Sequence, residues 1–178
     1  MFNNFIIVIF LTLSLAACST NNNAVYHNEF NFAAVESYSI YHRNSAFTET
    51  QNLADSRRNS IEIAIEKHME QRNFNYKGPE SADIIVTYHV VDKPSDYKLY
   101  NKLVLFCQQC IRASNWQQGK DKFKIEKDSL IIDLVNPDRK RSVWRSIQAL
   151  NIDDKDNSEE VNEKIYQAVH DMLIQYPH

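Results

Sequence analysis

Apolar and polar positions change their spacing several times along this chain, and each change marks an element. In FNFAAVESYSIY, residues 30–41, Phe32, Ala34, Tyr38 and Ile40 share one parity, interrupted by Glu36, which predicts a first strand over 35–41. Over 53–73 the spacing becomes helical. Ala54, Ile61, Ala64, Ile65 and Met69 form a stripe, with Arg57, Arg58, Glu62, Glu66 and Arg72 mainly off it. Gly78 and Pro79 break the pattern, and ADIIVTYHVV comes next at 82–91. There Ile84, Val86, Tyr88 and Val90 fall on one face and Ile85, Thr87, His89 and Val91 on the other, as in an interior strand covered on both sides. Strand, helix, strand in this order predicts a crossover between parallel strands.

The second half changes character. Short runs at 123–126, 130–135 and 143–150 predict antiparallel hairpins, with Asn136-Pro137-Asp138-Arg139-Lys140 supplying turn chemistry between the last two. The last element is a helix in which Val161, Ile165, Ala168, Val169, Met172, Leu173 and Tyr176 make a continuous apolar stripe. Asp156 with Glu159, or Ser158 alone, is its expected cap, and Pro177 ends it. Its polar face has no excess of Lys and Arg, so a sheet is its expected partner rather than a membrane. Together these elements predict a single α/β (α+β) domain over 30–178. It has a mixed β-sheet with an N-terminal β-α-β crossover, antiparallel hairpins and a C-terminal amphipathic helix packed on the sheet.

Ahead of this domain, residues 5–17 read FIIVIFLTLSLAA, apolar and uncharged. A helix of this run reaches about 20 Å, short of a hydrocarbon core of about 30 Å, so a cleaved export signal over 1–17 is expected rather than a permanent span. Leu15-Ala16-Ala17-Cys18 resembles the lipobox of bacterial lipoproteins, which implies cleavage before Cys18 and acylation of its thiol. Several acyl chains, each buried CH₂ contributing about 0.8 kcal/mol, make such an anchor effectively permanent. Ser19 after the cysteine, by resemblance to Gram-negative lipoproteins, implies the outer membrane. Residues 18–29 then form a lipidated polar tether with a reach of about 18 Å, and the domain faces the periplasm.

Composition narrows the chemistry. The chain has 178 residues, 43% hydrophobic and 24% charged, close to an ordinary globular domain and sufficient for a core. Two glycines, Gly78 and Gly119, exclude glycine-rich phosphate loops and Gly-x-Ser-x-Gly nucleophile elbows. Twenty basic against 23 acidic side chains give a formal charge of -3, which does not suggest nucleic acid as a partner.

Cys107-Gln108-Gln109-Cys110 is the one cysteine pair besides Cys18. It reads as a local disulfide, as thiols packed on a short helix face with Leu99, Leu103 and Phe106, or as a thiol-exchange site. A zinc site there needs two further ligands, and the six histidines show no metal-ligand spacing. His68 and His89 read as hydrogen-bonded structural residues. Asp83 and Asp133 could form a carboxylate pair, with structural hydrogen bonding as the alternative. Arg139, Lys140 and Arg141, with Arg145 following, form a basic turn that is either solvated or in contact with anionic glycan or lipid head groups.

Several segments together resemble a family of bacterial envelope lipoproteins, domain of unknown function 4136. They are the aromatic first strand (Phe32, Tyr38, Tyr41), SADIIVTYHV at 81–90, LIIDLV at 130–135, Val143-Trp144-Arg145, and the terminal helix ending Gln175-Tyr176-Pro177. The resemblance implies an α/β lipoprotein domain in the envelope and carries no catalytic residue with it. Two places depart from the family pattern: Ser146 stands where glycine is usual, and 93–122 lacks an aromatic, Gly/Pro-rich insertion.

The function expected from these readings is non-enzymatic. A membrane-anchored domain binds an envelope protein through the sheet face left uncovered by the helices or through residues 93–122. It carries no cofactor beyond the acyl/diacylglycerol lipid on Cys18. The alternative is a periplasmic thiol-disulfide factor using Cys107 and Cys110.

Overall fold

The computed structural model describes residues 24–41, 43, 45, 48, 51–105 and 125–177. In chain order the elements are β1 (Ala24–Tyr26), β2 (Ser37–Ile40), α1 (Asp55–Gln71), β3 (Asn75–Tyr76), β4 (Ile84–Val90), α2 (Pro94–Leu105), β5 (Ser129–Asn136), β6 (Arg141–Ala149) and α3 (Ser158–Leu173), with a 3-10 turn at Phe32–Ala34. The six strands make one mixed sheet in the order β1-β6-β5-β4-β2-β3. β2 and β4 are parallel and joined through α1, as the expected crossover requires, while β4, β5, β6 and β1 pair antiparallel.

Alternation along β4 and β5 divides the core in two. Ile84, Val86, Tyr88, Leu130, Ile132, Leu134 and Trp144 face α1 and α3 in the larger cluster. Ile131, Val135 and Ile147 face the other way, against Tyr100 and Val104 of α2. A register shift between Leu134 and Val135 lets β6 carry one extra residue, so Val143 and Trp144 enter the same core although they are adjacent in sequence. At the far end of α3, Tyr176 donates to the Phe32 carbonyl at 2.8 Å and meets the Phe32 and Phe74 rings edge-on, which ties the C-terminus to the N-terminal turn.

With so few glycines, other residues take the left-handed backbone positions. Asn73 (φ 64°) comes directly after the cap of α1; its N–H donates to Glu70 and that of Phe74 to Met69, so the last carbonyls of the helix are satisfied. Asn157, not Asp156 or Ser158, caps α3, accepting from the N–H groups of Glu159 and Glu160 while the Glu160 carboxylate accepts from the N–H of Asn157. Asp156 instead pairs with Lys164 at 2.6 Å.

Four expectations are corrected. Ala24–Tyr26, read as part of the tether, pairs with Trp144–Ser146 and belongs to the sheet; three residues with no clear alternation gave no strand signal. Residues 125–128 form no strand, and 123–124 lie outside the described residues. The sheet face opposite α1 and α3 is not left uncovered, because α2 packs across it. Finally, α2 does not turn Leu99 and Leu103 inward. Leu99 is 46% exposed, whereas Tyr100, Asn101 and Val104 are buried.

Candidate functional site

The inward face of α2 is chosen by polar bonding as much as by apolar area. Thr87 on β4, Asp133 on β5 and Arg145 on β6 stand directly opposite one another in register, and all three side chains point to the α2 side. All are buried, and such groups are tolerable only when hydrogen-bonded. Arg145 Nε donates to Asp133 Oδ1 at 2.9 Å and Oδ2 at 3.1 Å, and Nη1 donates to Asn101 Oδ1 at 2.6 Å. Tyr100 Oη donates to Asp133 Oδ2 at 2.9 Å and lies 2.9 Å from Thr87 Oγ1. The guanidinium also lies under the Tyr97 and Tyr100 rings, 6.0 and 5.8 Å from their centroids.

Electrostatics lock the protons of this row. Burial draws the Arg145 guanidinium down, but the charge and hydrogen bonds of Asp133 outweigh it and hold the group above its ordinary value. Burial, reinforced by the Asp133 charge, pushes the Tyr100 phenol well up, so it remains a donor. His89 completes the cluster, stacked on Tyr100 with centroids 4.8 Å apart and planes 13° apart. Contrary to expectation it is not hydrogen-bonded: neither ring nitrogen has a partner. Burial brings its pKa down to about 4, so it is neutral at pH 7. The arrangement clamps α2 to the sheet, with every polar group beneath the helix rather than open to an incoming molecule.

Asp83 and Asp133 do not meet. Asp83 Oδ2 accepts from the Ser37 hydroxyl at 2.6 Å, the Ser37 N–H at 2.8 Å and the Glu36 N–H at 3.1 Å, which holds its carboxyl below the usual range and joins the start of β4 to β2. Thr87, not Asp83, faces Asp133; four residues at about 3.3 Å each put the two carboxylates roughly 13 Å apart along the strand.

His68 and His170, far apart in sequence, come together between α1 and α3 with ring centroids 4.9 Å apart. Nothing in their spacing announced this, since the pairing depends on how two helices cross. Arg58, read as off the apolar stripe, is buried in α1. The basic turn has Arg139 and Lys140 exposed, with Lys140 at φ 50° and the Arg139 N–H donating to Asn136 Oδ1 at 2.7 Å. Arg141 acts electrostatically on His27, which burial, foremost, holds below its ordinary pKa. Cys18, Cys107 and Cys110 lie outside the described residues, and with them the lipid anchor, the disulfide and the thiol-exchange readings.

Open clefts lie around the helical layer among the described residues. One of about 590 Å³ lies between the 3-10 turn, residues 79–83 and Pro137-Asp138. Another of about 450 Å³ runs along the α1–α3 groove past Ile63, Lys67 and Tyr166. Among the described residues no group of three or more His, Cys, Asp or Glu is placed to hold a metal ion, and no helix is long and apolar enough to cross a membrane.

No curated protein matches this chain. A solved structure, that of a DUF4136 family protein from Bacteroides thetaiotaomicron VPI-5482, is similar in fold, with a TM-score of 0.56 over 85% of this chain and 92% of that one at 14% identity. The segments 81–90 and 130–135 and the Val143-Trp144-Arg145 motif are those that build the buried row, for they contain Thr87, His89, Asp133 and Arg145. A model of the family described as Domain of unknown function (DUF4136) matches residues 22–178, nearly the whole chain beyond the apolar segment, and the chain therefore belongs to the DUF4136 family.

Proposed function

We propose that the protein is a lipid-anchored, non-enzymatic domain of the bacterial cell envelope that binds another envelope protein close to the membrane. The observation that carries the reading is the short stretch of sequence between Cys18 and the start of the sheet at Ala24. Six residue steps join the two, and a flexible chain of that length has a reach of about 13 Å. Acylation of Cys18 therefore holds the domain against a leaflet, nearer than a tether ending at residue 29 would. The Arg145–Asp133, Arg145–Asn101 and Tyr100–Asp133 bonds under α2 hold the helix to the sheet, which supports reading this row as structural.

The same geometry redirects the basic turn. β1 enters beside Ser146 and runs antiparallel to β6 toward the β5–β6 turn, so Arg139, Lys140 and Arg141 lie at the end away from the point of entry. An anionic contact there would use a surface separate from the point where the chain enters the sheet.

Site-specific photocrosslinkers at the exposed apolar positions Ile63, Tyr76, Leu99 and Ile174 in whole cells test the reading. A discrete adduct that survives reduction and is lost in C18S supports it. Adducts that vanish on reduction and require Cys107 or Cys110 favour thiol exchange instead, and the absence of adducts at all four positions contradicts a protein partner.

A further inference from the structure

The α1–α3 interface brings two imidazoles together. His68 lies between His170, at 4.9 Å between ring centroids, and Tyr166, at 4.8 Å. It is buried, and its Nε2 has no hydrogen-bond partner. Charges of both signs line the groove, Lys67 on α1 and Glu159 and Glu163 on α3. Lys67 Nζ lies 5.7 Å from the Tyr166 ring and the Arg72 guanidinium 5.6 Å from the Tyr176 ring. The charges that act on His68 are those of His170 and Arg72, while the Tyr166 backbone and the Gln71 side chain are the polar groups that favour its cation.

We propose that the His68–His170 contact is an acid-operated release between α1 and α3, in which protonation of both rings sets two cations face to face and loosens the helices along the groove past Ile63, Lys67 and Tyr166. Repulsion at this spacing is several-fold stronger in a partly dry interface than in water. Burial first, and then the charge of His170, keep the His68 ring neutral in the closed form below its ordinary pKa of 6.5. Both histidines lie in the last turns of their helices, where the carbonyl dipoles favour a single cation, so the second proton is the one that opens the contact. The hydroxyl of Ser60 donates to Asn162 Oδ1 at 2.6 Å and pins the N-terminal halves of the two helices, so the release acts as a wedge from their C-terminal ends. The inference does not depend on the envelope reading.

Hydrogen exchange of the whole chain, corrected for intrinsic rates, tests it between pH 7.5 and 5.0. The expected result is at least a ten-fold loss of protection at amides 64–71 and 166–173 relative to β5, which disappears in H170Q, a substitution at a half-buried position, and in H68Q. A loss shared equally by β5, or no loss at all, overturns the proposal. Ring-proton shifts of the unsubstituted chain give a second reading that needs no variant: a His68 ring that gains its proton above pH 5 supports it, and a His68 ring that stays neutral at pH 5 overturns it.

Discussion

Arg145 and Asp133 face each other across adjacent antiparallel strands, with the guanidinium Nε 2.9 and 3.1 Å from the two carboxylate oxygens and both side chains almost wholly buried. A buried pair of this kind contributes little net stability but is costly to break, because removing one partner strands the other charge in an apolar setting. D133L and R145M should each lower the unfolding free energy by about 3–5 kcal/mol. The double variant D133L/R145M should lose much less than the sum. Urea denaturation of the four proteins measures the coupling directly, and additive losses would show that the two residues act independently.

Tyr100 links this pair to α2. Y100F removes the donor to Asp133 and the contact with Thr87 while keeping the ring over Arg145 and against His89. The expected cost is about 1–3 kcal/mol for a buried carboxylate oxygen left with the Arg145 Nε donor alone. Amide exchange should show the loss first in α2, with the α1–α3 side of the sheet unchanged.

Much of this fold was legible from periodicity. The 82–91 alternation and the stripe of α3 specify which residues meet in the larger core, because a one-residue slip would turn Ile84, Val86 and Tyr88 to the wrong face. The inward face of α2 was not legible. Hydrophobicity favoured Leu99 and Leu103, but the helix must satisfy Asp133 and Arg145, so Tyr100 and Asn101 turn inward instead. The row itself could not be found without the register that aligns residues 87, 133 and 145. β1 escaped for a different reason: three residues carry too little pattern, and their place is set by the free edge of β6. The histidine contact depends on helix crossing, which single-chain spacing does not encode.

His89 should make the domain acid-sensitive. Its folded pKa of about 4 lies below the ordinary 6.5, so the unfolded chain binds more protons between those values. Stability contributed by the neutral ring is complete above pH 6.5 and is lost as the pH falls toward 4, by about 3 kcal/mol in all. H89F, which keeps a ring to stack on Tyr100, should flatten this part of the stability profile in urea titrations at pH 7 and pH 4. An unchanged slope would show that other groups dominate the acid response.

The Asn157–Glu160 capping box predicts a local effect. N157A leaves the N–H groups of Glu159 and Glu160 without their acceptor and should cost about 1 kcal/mol, measurable as a lower midpoint at unchanged denaturant dependence. D156A should not reproduce the cap defect, since Asp156 works through Lys164 and the Asp153 N–H.

The membrane reading rests on Cys18, and the mass of the N-terminal peptide tests it most directly. Protein taken from the membrane fraction of its native host, digested and measured intact at its N-terminus, should begin at Cys18 and carry a diacylglyceryl group with further acylation. A peptide beginning at Met1 with an unmodified Cys18 would contradict the account.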